Sequence, residues 1–446
     1  MTITHRNQFG FKRKTSCNHA IFTLKETILN YTENKSGCKI ASLDAEKAFD
    51  KTWRDGLFYK LLPKMDLSLW AILKLYYDSS LGTLPTSSSS TPIYFDPFII
   101  NVGVKQGGIL SPFLFSDLID DLITICINAK IGAVFNNINV SIIVYADDIL
   151  LISPNDDHLQ KLLNICSDFG SLWGIKFNSK KSNIIEFGPQ FFSFSQFYLN
   201  NLIIPKVNKL KYLGVFIDKS LDFDLLANEK FKNVQKSIFS LSYLGLKPSA
   251  ISPHLQAFIY KTYCLSQFTY ALETTTLRKK TRDYLNVSQN NLIRQVIGLP
   301  RLCHISNILR CIKIFNIEDL YISSKLSFLN SIKNNEMSLL IFSHLTNIKD
   351  TKKINSKSFV QDIKLLERNF GLEITAIFEN PLKLKYNLKK KFVGRSGLAD
   401  SINTCLNHYK SKTYKLLLEG LTKTSFIREE EEFQELLQYL IIEGYS

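Results

Sequence analysis

No Cys-x2-Cys pair occurs in this 446-residue chain, and its eight cysteines stand apart at positions 17, 38, 126, 166, 264, 303, 311 and 405. Cys303-His304 with Cys311, and Cys405 with His408, fall short of four ligands at finger spacing, so no zinc site is assigned. The opening Met1-Thr2-Ile3-Thr4-His5-Arg6 has no signal-peptide core, and no apolar run reaches the roughly 18 residues that a spanning helix needs. Without a secretory signal the thiols read as reduced, several of them buried, in an intracellular protein of nucleus or cytoplasm with no membrane partner. Acid is the scarcer charge. With 55 Lys and Arg against 40 Asp and Glu, the formal charge is +15 and the pI about 9.2. Such a surface attracts phosphate without regard to sequence and does so in a salt-dependent way. The 32 Phe and 19 Tyr offer stacking surfaces as well, though most must be core.

The acids that are present are placed unusually. Tyr145-Ala146-Asp147-Asp148 lies between the apolar runs Val140-Ser141-Ile142-Ile143-Val144 and Ile149-Leu150-Leu151-Ile152, a pattern that predicts a β-hairpin with two carboxylates at its turn. Like charges there repel unless a cation neutralises them, and strand alternation lets only one of the two point straight into a site. The alternative is an ordinary turn, because Asp is a common turn residue. About a hundred residues upstream, the short apolar stretch of Lys39-Ile40-Ala41-Ser42-Leu43 ends in Asp44. If that strand lies beside the hairpin, Asp44 and Asp147 converge as a cradle of oxygen ligands for a hard divalent ion.

Gly103-Val104-Lys105-Gln106-Gly107-Gly108-Ile109-Leu110-Ser111-Pro112 adds three glycines that let backbone approach a ligand, and the Gln106 amide can both donate and accept. Ser111-Pro112 predicts a helix start, with Ser111 as N-cap, and Phe113, Leu114, Leu118, Leu122 and Ile125 follow at helical spacing as core positions.

Taken in order, six segments resemble the reverse transcriptases, and within them the non-LTR (LINE-type) retrotransposon polymerases. They are Asn7-Gln8-Phe9-Gly10-Phe11-Lys12, Leu43-Asp44 through Phe49-Asp50, Gly103 to Pro112, Tyr145-Ala146-Asp147-Asp148, Gly174-Ile175-Lys176-Phe177-Asn178-Ser179-Lys180-Lys181-Ser182 and Tyr212-Leu213-Gly214-Val215. The resemblance is strong over about residues 7 to 220, weaker to about 330 and faint beyond.

It implies an α+β fold of the right-hand polymerase type, with palm and partial fingers over 1–225, a helical thumb-like region over 226–330 and a helical basic C-terminal region over 331–446. It also implies RNA-directed DNA synthesis, in which two ions, Mg²⁺ or Mn²⁺, assist attack of a primer 3′-hydroxyl on a dNTP. Asp44, Asp147 and Asp148 would be the acids and metal ligands, helped by the Ala45 carbonyl, with Asp148 the less direct neighbour. Lys181 would serve the leaving pyrophosphate as charge or acid. Ala45, Phe49, Gln106, Gly107 and Tyr145 would line the nucleotide, with Phe49 excluding a 2′-hydroxyl by bulk, and Tyr212, Leu213 and Gly214 would grip the primer. The implied partners are an RNA template, a DNA primer or nicked target DNA, and dNTP; no residue pattern fixes an oligomeric state.

Against the family pattern, the chain begins almost at Gln8, has no room for an endonuclease and carries no downstream zinc knuckle, so it reads as a fragment of a mobile-element frame. Ser87-Ser88-Ser89-Ser90 reads as a low-complexity insertion, and the basic Lys383 to Lys391 run and Glu429-Glu430-Glu431-Glu432 carry no assigned chemistry. A catalytically weak or inactive nucleic-acid-binding remnant, and an RNA-directed RNA polymerase, stand as alternatives.

Overall fold

The computed structural model describes residues 5–84, 94–188, 196–243, 245–247, 251–347 and 356–393. The Ser87–Ser90 run, Cys405, His408 and Glu429–Glu432 lie outside these residues. Two compact units are formed, one from residues up to Leu221 together with Ser331–Ser358, the other from Asp222–Asn330 and the chain from Phe359 onward.

The first unit is mixed. It begins with α1 (Cys17–Glu33), β1 (Cys38–Asp44), α2 (Arg54–Leu61), α3 (Leu67–Asp78), the short pair β2 (Leu81–Gly82) and β3 (Phe98–Ile99), and α4 (Ser111–Asn128). There follow β4 (Val134–Phe135), β5 (Ile138–Asn139), β6 (Ile142–Tyr145), β7 (Asp148–Ser153) and α5 (Asp156–Trp173). Next come β8 (Asn183–Phe187), β9 (Tyr198–Leu199), β10 (Leu202–Ile203), β11 (Lys209–Tyr212) and β12 (Val215–Asp218).

The central sheet has the order β6-β7-β1-β8, with every neighbouring pair antiparallel. Because side chains alternate along each strand, Ala41, Leu43, Ile142, Val144, Ile149 and Leu151 join one buried cluster with Leu118 and Leu122 of α4 and Leu159 and Leu163 of α5. The alternate set, Ile40, Ile143, Leu150 and Ile152, is buried on the opposite face. α1, whose residues do not join that cluster, lies against β1 and β6. Covering both faces explains why β6 and β7 read as unbroken apolar runs rather than as alternation.

Two sequence expectations for α4 need correction. Leu110 occupies the N-cap position and Ser111 is already helical; its hydroxyl instead donates to the Lys105 carbonyl at 2.5 Å. Leu114, Leu118 and Leu122 are core, but Phe113 and Ile125 are 55% and 46% exposed, because the buried stripe runs through Phe115, Ile119, Ile123 and Cys126.

The second unit is helical in all its described elements: α6 (Phe223–Leu241), α7 (Pro253–Ile259), α8 (Leu265–Thr269), α9 (Lys279–Ile297), α10 (Ser306–Cys311) and most of α11 (Ile317–Ile332), then α13 (Phe359–Phe370), α14 (Ile374–Glu379) and α15 (Pro381–Val393). Of the positions at helical spacing, Val234, Ile238, Ala257, Ile259, Tyr260 and Leu265 are buried, Leu241 is half-buried and Leu244 lies outside the described residues; Gly298 ends α9 with φ +76°.

The expected boundary at residue 330 does not run on as a separate C-terminal region. α12 (Glu336–Thr346) packs on α1, His344 Nδ1 meets Asn136 Nδ2 at 2.6 Å, and Ser358 Oγ donates to Glu26 Oε2 at 2.8 Å. Glu26 is buried and paired with Lys25 at 3.1 Å, so Ser358 satisfies a charge that would otherwise lose hydrogen bonds to water. No described helix is long and apolar enough to cross a membrane. The seven described cysteines are free thiols, six of them buried, and among the described residues no three His, Cys, Asp or Glu side chains gather as a metal cage.

Candidate active site

β6 and β7 close on the pair Tyr145↔Asp148, which leaves Ala146 and Asp147 as the two turn residues. Ala146 takes the left-handed φ of +58°, a conformation that favours glycine. β1 pairs with β7 from Lys39↔Ser153 to Asp44↔Asp148. Directly opposed residues of an antiparallel pair share a face, so Asp44, Asp148 and Tyr145 project together from the end of the sheet, away from the cluster under α4 and α5. The register therefore gives Asp148, which the sequence reading ranked as the less direct acid, the place opposite Asp44, with Asp147 beside it at the turn tip. Asp147 and Asp148 are exposed and Asp44 half-buried.

The charges crowd each other. Desolvation by surrounding protein, then the carboxylates of Asp147 and Asp44, push Asp148 up to about 6. Water still reaches its side chain.

Asp44 is held by the segment after α5. Its N–H donates to Ser182 Oγ at 3.2 Å and its carbonyl accepts from Asn178 N–H at 2.8 Å. Ala45 forms an antiparallel bridge with Phe177, and Glu46 N–H donates to the Lys176 carbonyl at 2.8 Å. The Asn178 side chain accepts from the Lys180 and Lys181 amides at 3.0 and 3.3 Å. Lys181 is exposed and within electrostatic reach of Glu46, whose carboxyl is held down by a hydrogen bond from Lys51 and by the charges of Lys176, Lys51 and Lys181.

The glycine-rich loop docks on the chain leaving β1. Gly103 N–H donates to the Thr52 carbonyl at 2.8 Å and Val104 N–H to the Phe49 carbonyl at 2.7 Å. A Cβ on Gly103, at φ +80°, would stand 2.4 Å from the Asp50 carbonyl oxygen, so only glycine fits this approach. Gln106 Nε2 donates to Asp50 Oδ1 at 2.6 Å, while Gly107 (φ +77°) faces open space. Arg54, almost fully buried, ties the loop down by donating to the Gly103 and Tyr77 carbonyls at 2.7 Å each and to that of Ile100. Phe49 is half-buried: its ring stacks on Phe115 at 4.9 Å and meets the edge of Phe11 at 6.3 Å.

Leu213 and Gly214 form the β11–β12 turn with φ +44° and +74°, closed by Tyr212↔Val215. Burial, then the charge on Asp148, drives the Tyr212 phenol well above its ordinary range, which puts this hairpin near the acids.

Sequence reasoning missed what stands behind the acidic turn. Asn7–Phe9 line the outer edge of β6: Val144 N–H donates to the Asn7 carbonyl at 3.0 Å and Phe9 N–H to the Val144 carbonyl at 2.8 Å. The Asn7 side chain donates to the carbonyls of Ile142 and Asn139 at 2.8 and 3.1 Å. In the sequence this stretch stands out only as the first of the six family-like segments, with no sign of what it backs.

Residues 1–217 match the family model described as reverse transcriptase (RNA-dependent DNA polymerase). Those residues, just under half of the chain, are similar to that family. The relatives are mobile-element proteins. The RNA-directed DNA polymerase from mobile element jockey of Drosophila funebris is 24% identical over 300 residues, 66% of this chain and 32% of the relative. The probable RNA-directed DNA polymerase from transposon BS of Drosophila melanogaster is 25% identical over 323 residues, 70% of this chain and 35% of the relative. The chain thus spans about a third of the length of these curated relatives. Among solved structures, telomerase from Candida albicans with a TWJ fragment of telomeric RNA aligns over 82% of this chain and 56% of that one, at 12% identity and a TM-score of 0.40, too loose a likeness to carry an argument.

Proposed function

We propose that this chain is an RNA-directed DNA polymerase that extends a primer 3′-hydroxyl with dNTP on an RNA template. The observation that carries the reading is the meeting of Asp44 with the Asp147-Asp148 turn at one sheet end, inside the stretch that matches the reverse transcriptase family. On this reading residues up to about 225 are palm and partial fingers, and 226–330 a thumb.

The donor set fits a hard divalent ion: three carboxylates and the Ala45 carbonyl, all oxygen, with a charge crowding that a cation would relieve. Their side chains would rotate on a fixed backbone to close around it. Bound Mg²⁺ or Mn²⁺ would lower the pKa of the primer hydroxyl and offset charge on the departing pyrophosphate. The chain's own groups do the rest. Asp44, Asp147 and Asp148 supply fixed negative charge; Ala45, Gln106, Gly107 and Tyr145 shape the nucleotide seat; Lys181 offers a proton or positive charge on the leaving side; Tyr212, Leu213 and Gly214 hold the primer end. The net charge of +15 draws RNA and primer duplex in.

The test is primer extension on poly-rA with oligo-dT, dTTP and Mg²⁺, beside the same reaction with UTP. Extension with dTTP that UTP does not match is expected. RNA binding with no extension would leave only a nucleic-acid-binding remnant, and equal use of UTP would move the reading to RNA synthesis.

Phe49 gives a second test. Supported by Phe115 and only half-buried, its ring would exclude a 2′-hydroxyl. Phe49→Ala should raise ribonucleotide use at least about 10-fold relative to dNTP, a shift of about 1.4 kcal/mol in discrimination. Unchanged selectivity in a folded, active Phe49→Ala protein would make this ring core only.

A further inference from the structure

We propose that Gln8 is a positioning residue that clamps the acidic turn from behind, with Gly10 as the gap that lets the clamp seat; the idea builds on the polymerase reading. The Gln8 side chain is fully buried, and its Oε1 accepts from two backbone amides, Gly10 N–H at 2.9 Å and Ala146 N–H at 3.2 Å. Two N–H donors converging on one atom fix which end of the amide is oxygen. Among the described residues Nε2 then faces no hydrogen-bond partner, so the side chain serves through its oxygen and at the expense of a buried donor.

The atom that Gln8 holds is the first residue of the two-residue turn, immediately before Asp147. Ala146 is buried and left-handed at φ +58°, a conformation an alanine keeps only when its surroundings over-determine it. Three contacts do so. Gln8 binds the Ala146 N–H, Asn7 and Phe9 exchange backbone hydrogen bonds with Val144 two residues earlier, and Gly10 backs the turn so closely that a Cβ there would lie 2.5 Å from Ala146 N and 3.0 Å from the Tyr145 carbonyl carbon. Both of those neighbours are backbone, so a side chain at position 10 would displace the turn itself. Neither Gln8 nor Gly10 touches the reacting atoms. Their effect is on where Asp147 and Asp148 stand relative to Asp44, and a carboxylate pair serves phosphoryl transfer only at fixed geometry.

The experiment compares the parent chain with Gln8→Met, which keeps the side-chain length and removes the acceptor, and with Gly10→Ala, which keeps the acceptor and fills the gap. Amide hydrogen exchange over residues 142–149, in metal-free protein, is read beside primer extension and RNA affinity. In both variants exchange at the turn should quicken about 10-fold or more while Ile40–Leu43 of β1 stays protected, and kcat should fall about 10- to 100-fold with RNA affinity unchanged. Turn exchange equal to the parent's in the folded variants overturns the clamp, and so does a loss of protection spread evenly over the sheet, which would make Gln8 ordinary core. If Gln8→Met does not fold, Gly10→Ala decides alone by the same readings. A parent that extends no primer sinks the polymerase reading, and the exchange arm then judges the clamp without it.

Discussion

Asp147→Asn should cut primer extension by roughly 10³-fold or more, about 4 kcal/mol in the barrier, while RNA binding stays nearly unchanged. Asparagine preserves the volume and turn preference of aspartate and removes only the charge, so the hairpin closed by Tyr145↔Asp148 should survive. On the proposed function, RNA affinity should draw on the distributed excess of Lys and Arg, fall steeply with salt and not sense one acid.

A second reading follows from the charge crowding and needs no activity. Desolvation, then Asp147, then Asp44 push Asp148 up to about 6. Removing the Asp147 charge should move Asp148 back down, measurable by titration of its carboxyl resonance in metal-free protein. The sign for stability is also fixed. A carboxyl whose folded pKa lies above its unfolded value favours the folded state when protonated, and that benefit is lost as pH rises through about 6. At pH 7 the parent therefore carries an electrostatic cost at its own site, and Asp147→Asn should melt slightly higher. Extension that survives the substitution would mean a wrong site or a contaminating polymerase. A variant that melts lower at pH 7, with Asp148 unmoved, would remove the case for crowded acids.

What was legible in the sequence was local. The runs flanking Tyr145-Ala146-Asp147-Asp148 are long enough and apolar enough to specify a hairpin, because burial on both faces leaves continuous apolar residues, and the short apolar stretch ending in Asp44 predicts a further strand without naming its neighbour. Register was not legible. Whether Asp147 or Asp148 stands opposite Asp44 depends on a one-residue shift that reverses every face along the strand, and the flanking residues are apolar in either frame. The backing by Asn7, Gln8 and Gly10 was hidden for another reason: its partners lie more than 130 positions away and are mostly backbone atoms, which leave no residue-type signature. Likewise, nothing in Glu336–Thr346 marks it as a partner of α1; an apolar helical face does not name the surface that covers it.

Lys325→Met should destabilise the helical unit by roughly 3–5 kcal/mol, the usual cost of stranding a buried charge. Lys325 and Asp362 are both almost fully buried, with Nζ 3.0 Å from Oδ2. The ammonium also donates to the carbonyls of Glu273 and Thr275 at 3.0 and 2.7 Å. Asp362 in turn accepts from Thr276 Oγ1 at 2.9 Å and from the Tyr321 hydroxyl, which itself accepts from Leu277 N–H at 3.0 Å. The network thus ties residues 273–277 to α11 and α13. In Lys325→Met the methionine fills the space, but Asp362 keeps its charge with no cation, and two carbonyls lose a donor. Lys325→Met with Asp362→Leu removes the stranded charge, so the double variant should recover at least half of the single variant's loss, even though Thr276 and Tyr321 then lose an acceptor. Denaturant unfolding gives the magnitudes, and amide exchange at Thr274–Leu277 localises them, with the β1 and β7 amides as internal reference. A double variant that loses as much as both singles together would show that the hydrogen bonds around Asp362, and not the buried charge, hold this unit.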